Sequence, residues 1–202
     1  MKKLLTSEEL QKHYWQGTFP MADEKGKISW HEPSQRAVFQ IHTYKPKKSL
    51  KSVLNSGIFS WSINHEFEKV IRNCAQPRRT SDETWLSEEL ILAYIDLHRK
   101  GMAHSIEIYN NQQLVGGLYG VHIGAMFFGE SMFSCVSNAS KVAFHFLMQI
   151  LQENNFMLLD SQYINDFTRS LGAIEISEVT FKSILKMARN KKVQFKSNNT
   201  SV

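Results

Sequence analysis

Between residues 87 and 100 the apolar positions Leu90, Ile91, Tyr94 and Leu97 recur three and four apart, which places them on one face of a helix. Gly101 then supplies a stop. The same period predicts helices over Ser7–Trp15, Glu66–Cys74, Lys141–Gln152, Asn165–Leu171 and Ser177–Ala188. The first of these opens at Thr6 or Ser7 before Glu8 and Glu9, and closes at Gly17 and Pro20. Strand composition marks Arg36–His42, Ile58–Ile63, His104–Tyr109, Gln113–Ile123, Ala125–Phe133 and Met157–Ser161. Asn110-Asn111 is a turn pair that suits a hairpin between the third and fourth. Residues 21–35, with Asp23, Glu24, Gly26 and Pro33, read as a loop, and so does the polar stretch Gln76–Thr84. After Lys191 the tail is polar and expected to fray.

These elements fill 202 residues, enough for one full core and a small appendage. The apolar share of 42% and charged share of 21% are those of a globular protein. No apolar run reaches the roughly 18–20 residues of a membrane helix, so no membrane partner is expected. Met1-Lys-Lys-Leu-Leu-Thr-Ser-Glu turns acidic before a signal-peptide core develops. Two cysteines, Cys74 and Cys135, without a CxxC motif, argue against a disulfide framework and a thiolate metal site, and favour a cytoplasmic setting. The net charge of +5 is compatible with a phosphate-bearing partner. It is densest in Lys45-Pro-Lys-Lys-Ser-Leu-Lys51, where an ordinary solvated surface run is the plainer explanation.

Two places could carry chemistry. Glu130 sits between Gly129 and Ser131 beside Phe127, Phe128 and Phe133, where a carboxylate is costly without a partner; a salt-bridged structural glutamate explains it equally well. Asp160 and Gln162, read along a strand, share one face at the strand's end, a common position for sites and for capping residues alike. His98 and His104 lack a third ligand at metal spacing. There is no GxSxG, HExxH or Walker loop, and Gly116-Gly117-x-x-Gly120 lies in strand sequence rather than at a strand-to-helix turn. The Gln/Arg-x-x-Gly-x-Gly/Ala turn that grips acetyl-CoA pyrophosphate is also missing. No metal and no cofactor is therefore expected.

Longer segments carry a resemblance. They are Tyr14-Trp-Gln-Gly-Thr-Phe-Pro20, Trp30-His-Glu-Pro33 with Arg36, Thr84-Trp-Leu86, Ala93-Tyr-x-x-Leu-His98 and Gly101-x-Ala-His-Ser-Ile-Glu107. Leu114-Val-Gly-Gly-Leu-Tyr-Gly-Val121, Gly129-Glu-Ser-Met-Phe-Ser134, Asn138-Ala-Ser-Lys141, Asp160-x-Gln162-x-x-Asn165 and Ser170-Leu-Gly-Ala173 follow in order. Across residues 9–185 the chain resembles the leucyl/phenylalanyl-tRNA–protein transferases.

The resemblance implies an α+β chain with a GNAT-like acyltransferase domain, its mixed and mainly antiparallel sheet flanked by helices, over residues 58–190. A small N-terminal domain over 1–57 and a tail over 191–202 complete the division. It implies transfer of Leu, Phe or Met from aminoacyl-tRNA to proteins beginning with Arg or Lys, a mark for N-end-rule degradation, by a cytoplasmic monomer. Asp160 and Gln162 become the catalytic pair, with Glu130 holding the reacting groups. Trp85 and Phe127 would enclose the terminal adenosine and the esterified side chain, and Leu118 and Met132 would line the amino-acid pocket. Gly129, Ser134, Phe144, Leu147, Leu151 and Asn165 join the substrate site, and Lys45, Lys47, Lys48 and Lys51 become contacts for the tRNA acceptor stem.

Several departures stand out. The family's leading Gly-Gly-Asp-Leu segment is missing, so a shortened N-terminal domain is expected, and Met21 replaces a usual Trp. Leu147 and Leu151 stand at often aromatic positions, and Phe144 at an aliphatic one, swaps that can conserve volume while reshaping the pocket. An inactive aminoacyl-tRNA-binding module of the same fold is the alternative, and an acyl-CoA N-acyltransferase a third reading.

Overall fold

The computed structural model describes residues 4–77 and 84–197 of the chain. Most of the expected 76–84 loop therefore lies outside the described residues. Helix α1 (Ser7–Gln16) starts at Thr6, whose hydroxyl accepts from the Glu9 amide while the Glu9 carboxylate accepts from the Thr6 amide. It ends where Gly17 turns left-handed, at φ 89°. The region expected as a loop instead holds a hairpin, β1 (Phe19–Ala22) antiparallel to β2 (Ile28–His31). Strands of four residues show too few alternations to register as a period. The Asp23 carboxylate fixes the turn between them by accepting from the Lys25 and Lys27 amides.

The main sheet has seven strands in the order β4 (Ser60–Ile63), β5 (Ala103–Asn110), β6 (Gln113–Ile123), β7 (Met126–Ser134), β8 (Leu158–Asp160), β3 (Gln35–Phe39) and β9 (Ile174–Ser177). Neighbours run antiparallel except β7 and β8, which are parallel and joined by helix α5 (Ala139–Glu153). The sheet is thus mixed and mostly antiparallel, as expected. The β5–β6 turn falls one residue later than the pattern places it. Asn111 and Gln112 occupy it at φ 49° and 65°, both positive as a two-residue hairpin loop requires.

Helices cover both faces. On one, α1, α3 (Phe67–Cys74), α4 (Glu88–Arg99) and α7 (Glu178–Ala188) pack Leu10, Tyr14, Val70, Leu90, Tyr94 and Phe181 against Tyr119, Val121, Phe128 and Leu158. On the other, α5, α2 (Lys48–Asn55) and a 3-10 turn at Ile41–Thr43 pack Leu147, Ile150, Leu50 and Ile41 against Ile106, Leu118, Phe127 and Leu159. Neither α2 nor β9 is visible in the apolar pattern. The first turns of α2 are rich in lysine, and β9 is a mostly exposed edge strand. Strand β3 lies between β8 and β9, so the segment before residue 57 supplies an inner strand of the main sheet.

The tail departs from the expectation of fraying. Phe195 is 9% exposed and stacks on His104 at 4.3 Å and on Phe127 at 5.4 Å between ring centres. The Asn154 side chain donates to the Lys196 carbonyl and anchors the crossing. One apolar residue in a polar tail carries no period, so nothing in the residue pattern signals this packing. Burial pushes the His104 imidazole down to about 3, so it stays neutral under the Phe195 ring. Replacing Phe195 by Ala is expected to cost about 3 kcal/mol of stability, the loss typical of a deleted core aromatic. A urea melt of Phe195→Ala beside wild type measures it, and an unchanged midpoint would show that the tail contributes nothing.

Candidate active site

Strand β8 is three residues long, and its pairing with β7 stops where Phe128 lies opposite Asp160. From Gly129 onward β7 continues against β6 alone, so the sheet opens into a cleft. A bulge re-aims the residues at its edge. Tyr119 pairs with Ser131 and Gly120 with Gly129, which leaves Glu130 as the extra residue. The alternation reverses there: Phe127 and Met132, five apart, both meet the α5 layer, which an unbroken strand forbids. Gly120 permits the close approach, since a Cβ there would lie 2.3 Å from the Phe128 carbonyl oxygen.

Asp160 is fully buried, and so is its partner Arg36 on β3. The Arg36 Nε and Nη2 donate to the two carboxylate oxygens, each at 2.8 Å. The register explains the meeting, because Val38 lies opposite Asp160 and Arg36 is two residues away, beside the end of β8. The guanidinium also rests over Phe19 at 4.8 Å and Phe181 at 4.3 Å. Asp160 Oδ1 accepts a further bond from the Gln162 amide at 3.1 Å, and the Gln162 carbonyl accepts from the Ala37 amide at 3.0 Å. Those bonds hold Gln162 at φ 58°, a left-handed conformation that non-glycine residues keep only where their surroundings fix it. The expected shared strand face is thus corrected. The strand ends at Asp160, whose side chain turns inward, while that of Gln162 lines the cleft.

The Gln162 Nε2 donates to Glu130 Oε1 at 3.3 Å, which leaves its Oε1 for the cavity. The Tyr94 hydroxyl on α4 donates to Glu130 Oε2 at 3.1 Å, and the Tyr14 hydroxyl on α1 lies 2.6 Å from that of Tyr94. Burial pushes the Glu130 carboxyl up to about 7. The tyrosine hydroxyls and Arg36 pull it back, and the Asp160 charge adds to the rise. Burial also raises both phenols well above their ordinary value, so they stay protonated donors.

The cleft encloses a cavity of about 320 Å³. Glu130, Ser131, Ser161 and Gln162 give it a polar edge, and Phe39, Leu118, Met132, Phe144, Leu147 and Leu159 an apolar wall. Trp85, Gly129, Asn165 and the hairpin residues Phe19, Pro20 and Met21 also line it. Four of the expected catalytic and substrate-site residues lie elsewhere. Asp160 is buried behind Gln162, whose amide it accepts from. Phe127 and Leu151 are fully buried, Phe127 beside Phe156 and Phe195, because the β7 bulge and the α5 period turn them into the core. Ser134 is exposed and accepts from the Ser140 amide, fixing the entry to α5. Lys45, Lys47, Lys48 and Lys51 are exposed on the approach to α2 and along it. Arg36, Tyr14 and Tyr94 fall within the segments that carry the resemblance, but nothing local in the sequence gives them these roles.

Residues 38–186 match the family described as Leucyl/phenylalanyl-tRNA protein transferase. A leucyl/phenylalanyl-tRNA–protein transferase of Chlorobaculum tepidum is 46% identical over 95% of this chain and 100% of its own length. One from Chlorobaculum parvum is 47% identical over the same shares. Among solved structures, L-PGS from Bacillus licheniformis is similar with a TM-score of 0.49 and 11% identity, over 78% of this chain and 66% of that one.

Replacing Arg36 by Met leaves the Asp160 carboxylate buried and unpaired, a loss of about 3–5 kcal/mol. Adding Asp160→Asn should restore part of it; denaturant titration of the single and double variants measures both. Glu130 adds a pH dependence. Its folded value is above the usual 4.5, so the stability it contributes is present below that value and lost as pH rises through about 7. In Glu130→Gln the fall in denaturation midpoint between pH 5 and pH 8 should flatten.

Proposed function

The chain belongs to the leucyl/phenylalanyl-tRNA–protein transferase family, and from that premise we propose that it moves Leu, Phe or Met from aminoacyl-tRNA onto the N-terminal Arg or Lys of cytoplasmic proteins, marking them for N-end-rule degradation. One observation carries the assignment of the site. An apolar-walled cavity of about 320 Å³ meets a glutamine and a glutamate that are hydrogen-bonded to each other. The wall suits an esterified leucyl, phenylalanyl or methionyl side chain, with Leu118, Met132, Phe144 and Leu147 against it and Trp85 beside the terminal adenosine. In this reading the cleft at the parallel β7–β8 pair is that of a GNAT-like acyltransferase.

The chemistry asks little beyond placement. An aminoacyl ester is already activated, so the acceptor's α-amine forms the C–N bond and the ribose oxygen leaves with the C–O electron pair. Gln162 Oε1 accepts a hydrogen bond from the attacking amine and orients it. Glu130, titrating near 7, is well matched to an amine whose reference value is about 7.7–8.0, and receives the proton that the nitrogen loses. The proton then passes to the departing ribose oxygen. Asp160 touches no substrate; paired with Arg36, it fixes the backbone of Gln162 and is a positioning residue.

Labelled Leu, Phe and Met should pass from charged tRNA to a peptide beginning with Arg and not to one beginning with Ala. Gln162→Ala should lower kcat about a hundredfold. Glu130→Gln should remove the rise in kcat/KM centred near pH 7 and leave only the limb of the acceptor amine. Near-wild-type turnover by both variants would sink the assignment, and tRNA binding without transfer by wild type would favour the inactive binding module.

A further inference from the structure

An acceptor amine placed at Gln162 brings a cationic side chain with it, on a long flexible stem. Among the residues that line the cavity, Glu130 is the one carboxylate, and no Lys, Arg or His is present. Glu130 is already taken up by Gln162 and Tyr94. A guanidinium or ammonium entering here meets no like charge, and it also meets no free acid.

What it does meet is aromatic. Of the lining residues, Tyr163, Asn165 and Phe167 alone are exposed, Tyr163 at 46% and Phe167 at 37%. They mark the mouth. Asn165 is occupied in capping α6 (Asp166–Leu171), where its side chain accepts from the Thr168 amide. That leaves two rings open to water, and exposed aromatic rings are enriched where proteins meet partners.

Tyr163 is also held in place. Phe19 meets its ring in a T-shaped contact at 5.6 Å, and its hydroxyl lies 3.4 Å from His31 Nδ1, so the β1–β2 hairpin fixes the ring from behind. Its Cα follows that of Gln162 at about 3.8 Å, the spacing of consecutive residues. An acceptor whose amine sits at Gln162 Oε1 therefore has this ring within reach of its side chain. The charges near the mouth favour a cation over a nucleotide. Asp166 is exposed in the first turn of α6, and among the described residues it joins no ion pair. It attracts a cation and repels a phosphate. The next charge along α6, Arg169, lines a neighbouring cavity instead.

We propose that Tyr163, with Phe167 at the same mouth, is the platform on which the cationic side chain of the acceptor's first residue rests, so that ring faces and not a carboxylate select Arg and Lys. The proposal rests on the transferase reading for the identity of the acceptor. A ring face attracts an ammonium or guanidinium within about 6 Å of its centre, and a neutral side chain of the same shape less. A half-exposed ring also leaves the head group much of its water, which suits two cations of different shape.

The test measures transfer of Leu from charged tRNA to peptides beginning with Lys or with norleucine, an uncharged counterpart of similar shape. Wild type, Tyr163→Phe, Tyr163→Leu and Phe167→Leu are compared, and binding of the same peptides, fluorescently labelled, is followed by anisotropy. Tyr163→Leu should raise the KM for the Lys peptide about fivefold, with kcat and the KM for charged tRNA unchanged. The norleucine peptide should be unaffected, so the preference for Lys narrows. Tyr163→Phe keeps the ring and should stay within about twofold of wild type, and Phe167→Leu should narrow the preference by less than Tyr163→Leu. If Tyr163→Leu does not fold, progressively fluorinated phenylalanines at position 163 weaken the ring face at nearly constant shape and should raise the same KM in steps. An undiminished preference for Lys overturns the proposal, as does an equal loss for both peptides, which marks a structural role. A rise confined to the KM for charged tRNA assigns the ring to the nucleic acid and overturns it likewise. Wild type that transfers to no peptide removes the transferase reading, and anisotropy then decides the platform: equal binding of the Lys and norleucine peptides overturns it.

Discussion

A carboxylate without exposed surface must find its counter-charge within the protein, and Asp160 finds it in Arg36. Much of the architecture follows from that pairing. It locks β3 beside β8 at the end where the sheet opens, and it draws Phe19 from the β1 hairpin and Phe181 from α7 over the guanidinium. Because Arg36 occupies the outer reach of both oxygens, Asp160 Oδ1 can also receive the Gln162 amide, and the left-handed turn there becomes sustainable. A charge that never meets the cavity thereby sets the direction of the side chain that does.

The site is made from interruptions of regular structure. A sheet of full-length paired strands would have no cleft; the early end of β8 makes one, and the bulge at Glu130 turns a carboxylate to its rim. The same enclosure that makes Glu130 hard to ionise brings its titration close to that of an amine. The tyrosines of α1 and α4 keep it from being raised further, so two helices packed for core stability also tune the polar edge.

Long periodic elements were legible from residues alone, α4 from Leu90, Ile91, Tyr94 and Leu97 and the β5–β6 pair from its length and turn. Elements decided by tertiary packing were not. The β1–β2 hairpin, the edge strand β9 and the lysine-rich α2 are too short or too polar to show a period. Of the chemistry, Glu130, Asp160 and Gln162 stand out as costly or clustered polar groups, but residue types alone place Asp160 and Gln162 on one strand face, because a backbone reversal at Gln162 leaves no trace in them. Arg36 stands 124 positions from Asp160 in the chain. With 24 lysines and arginines present, only the strand register selects it. Phe127 reads as a site residue until the tail's Phe195 is found on top of it.

The place of β3 between β8 and β9 bears on how the molecule comes into being. A strand near residue 37 can be seated only after strands near residues 159 and 175 have been synthesised. Until then the early chain waits on the ribosome with Arg36 unmatched and a strand edge open, a state that invites mispairing or chaperone capture. The cleft is consequently among the last features to form, and a nascent or truncated chain ending before β8 has no finished cleft.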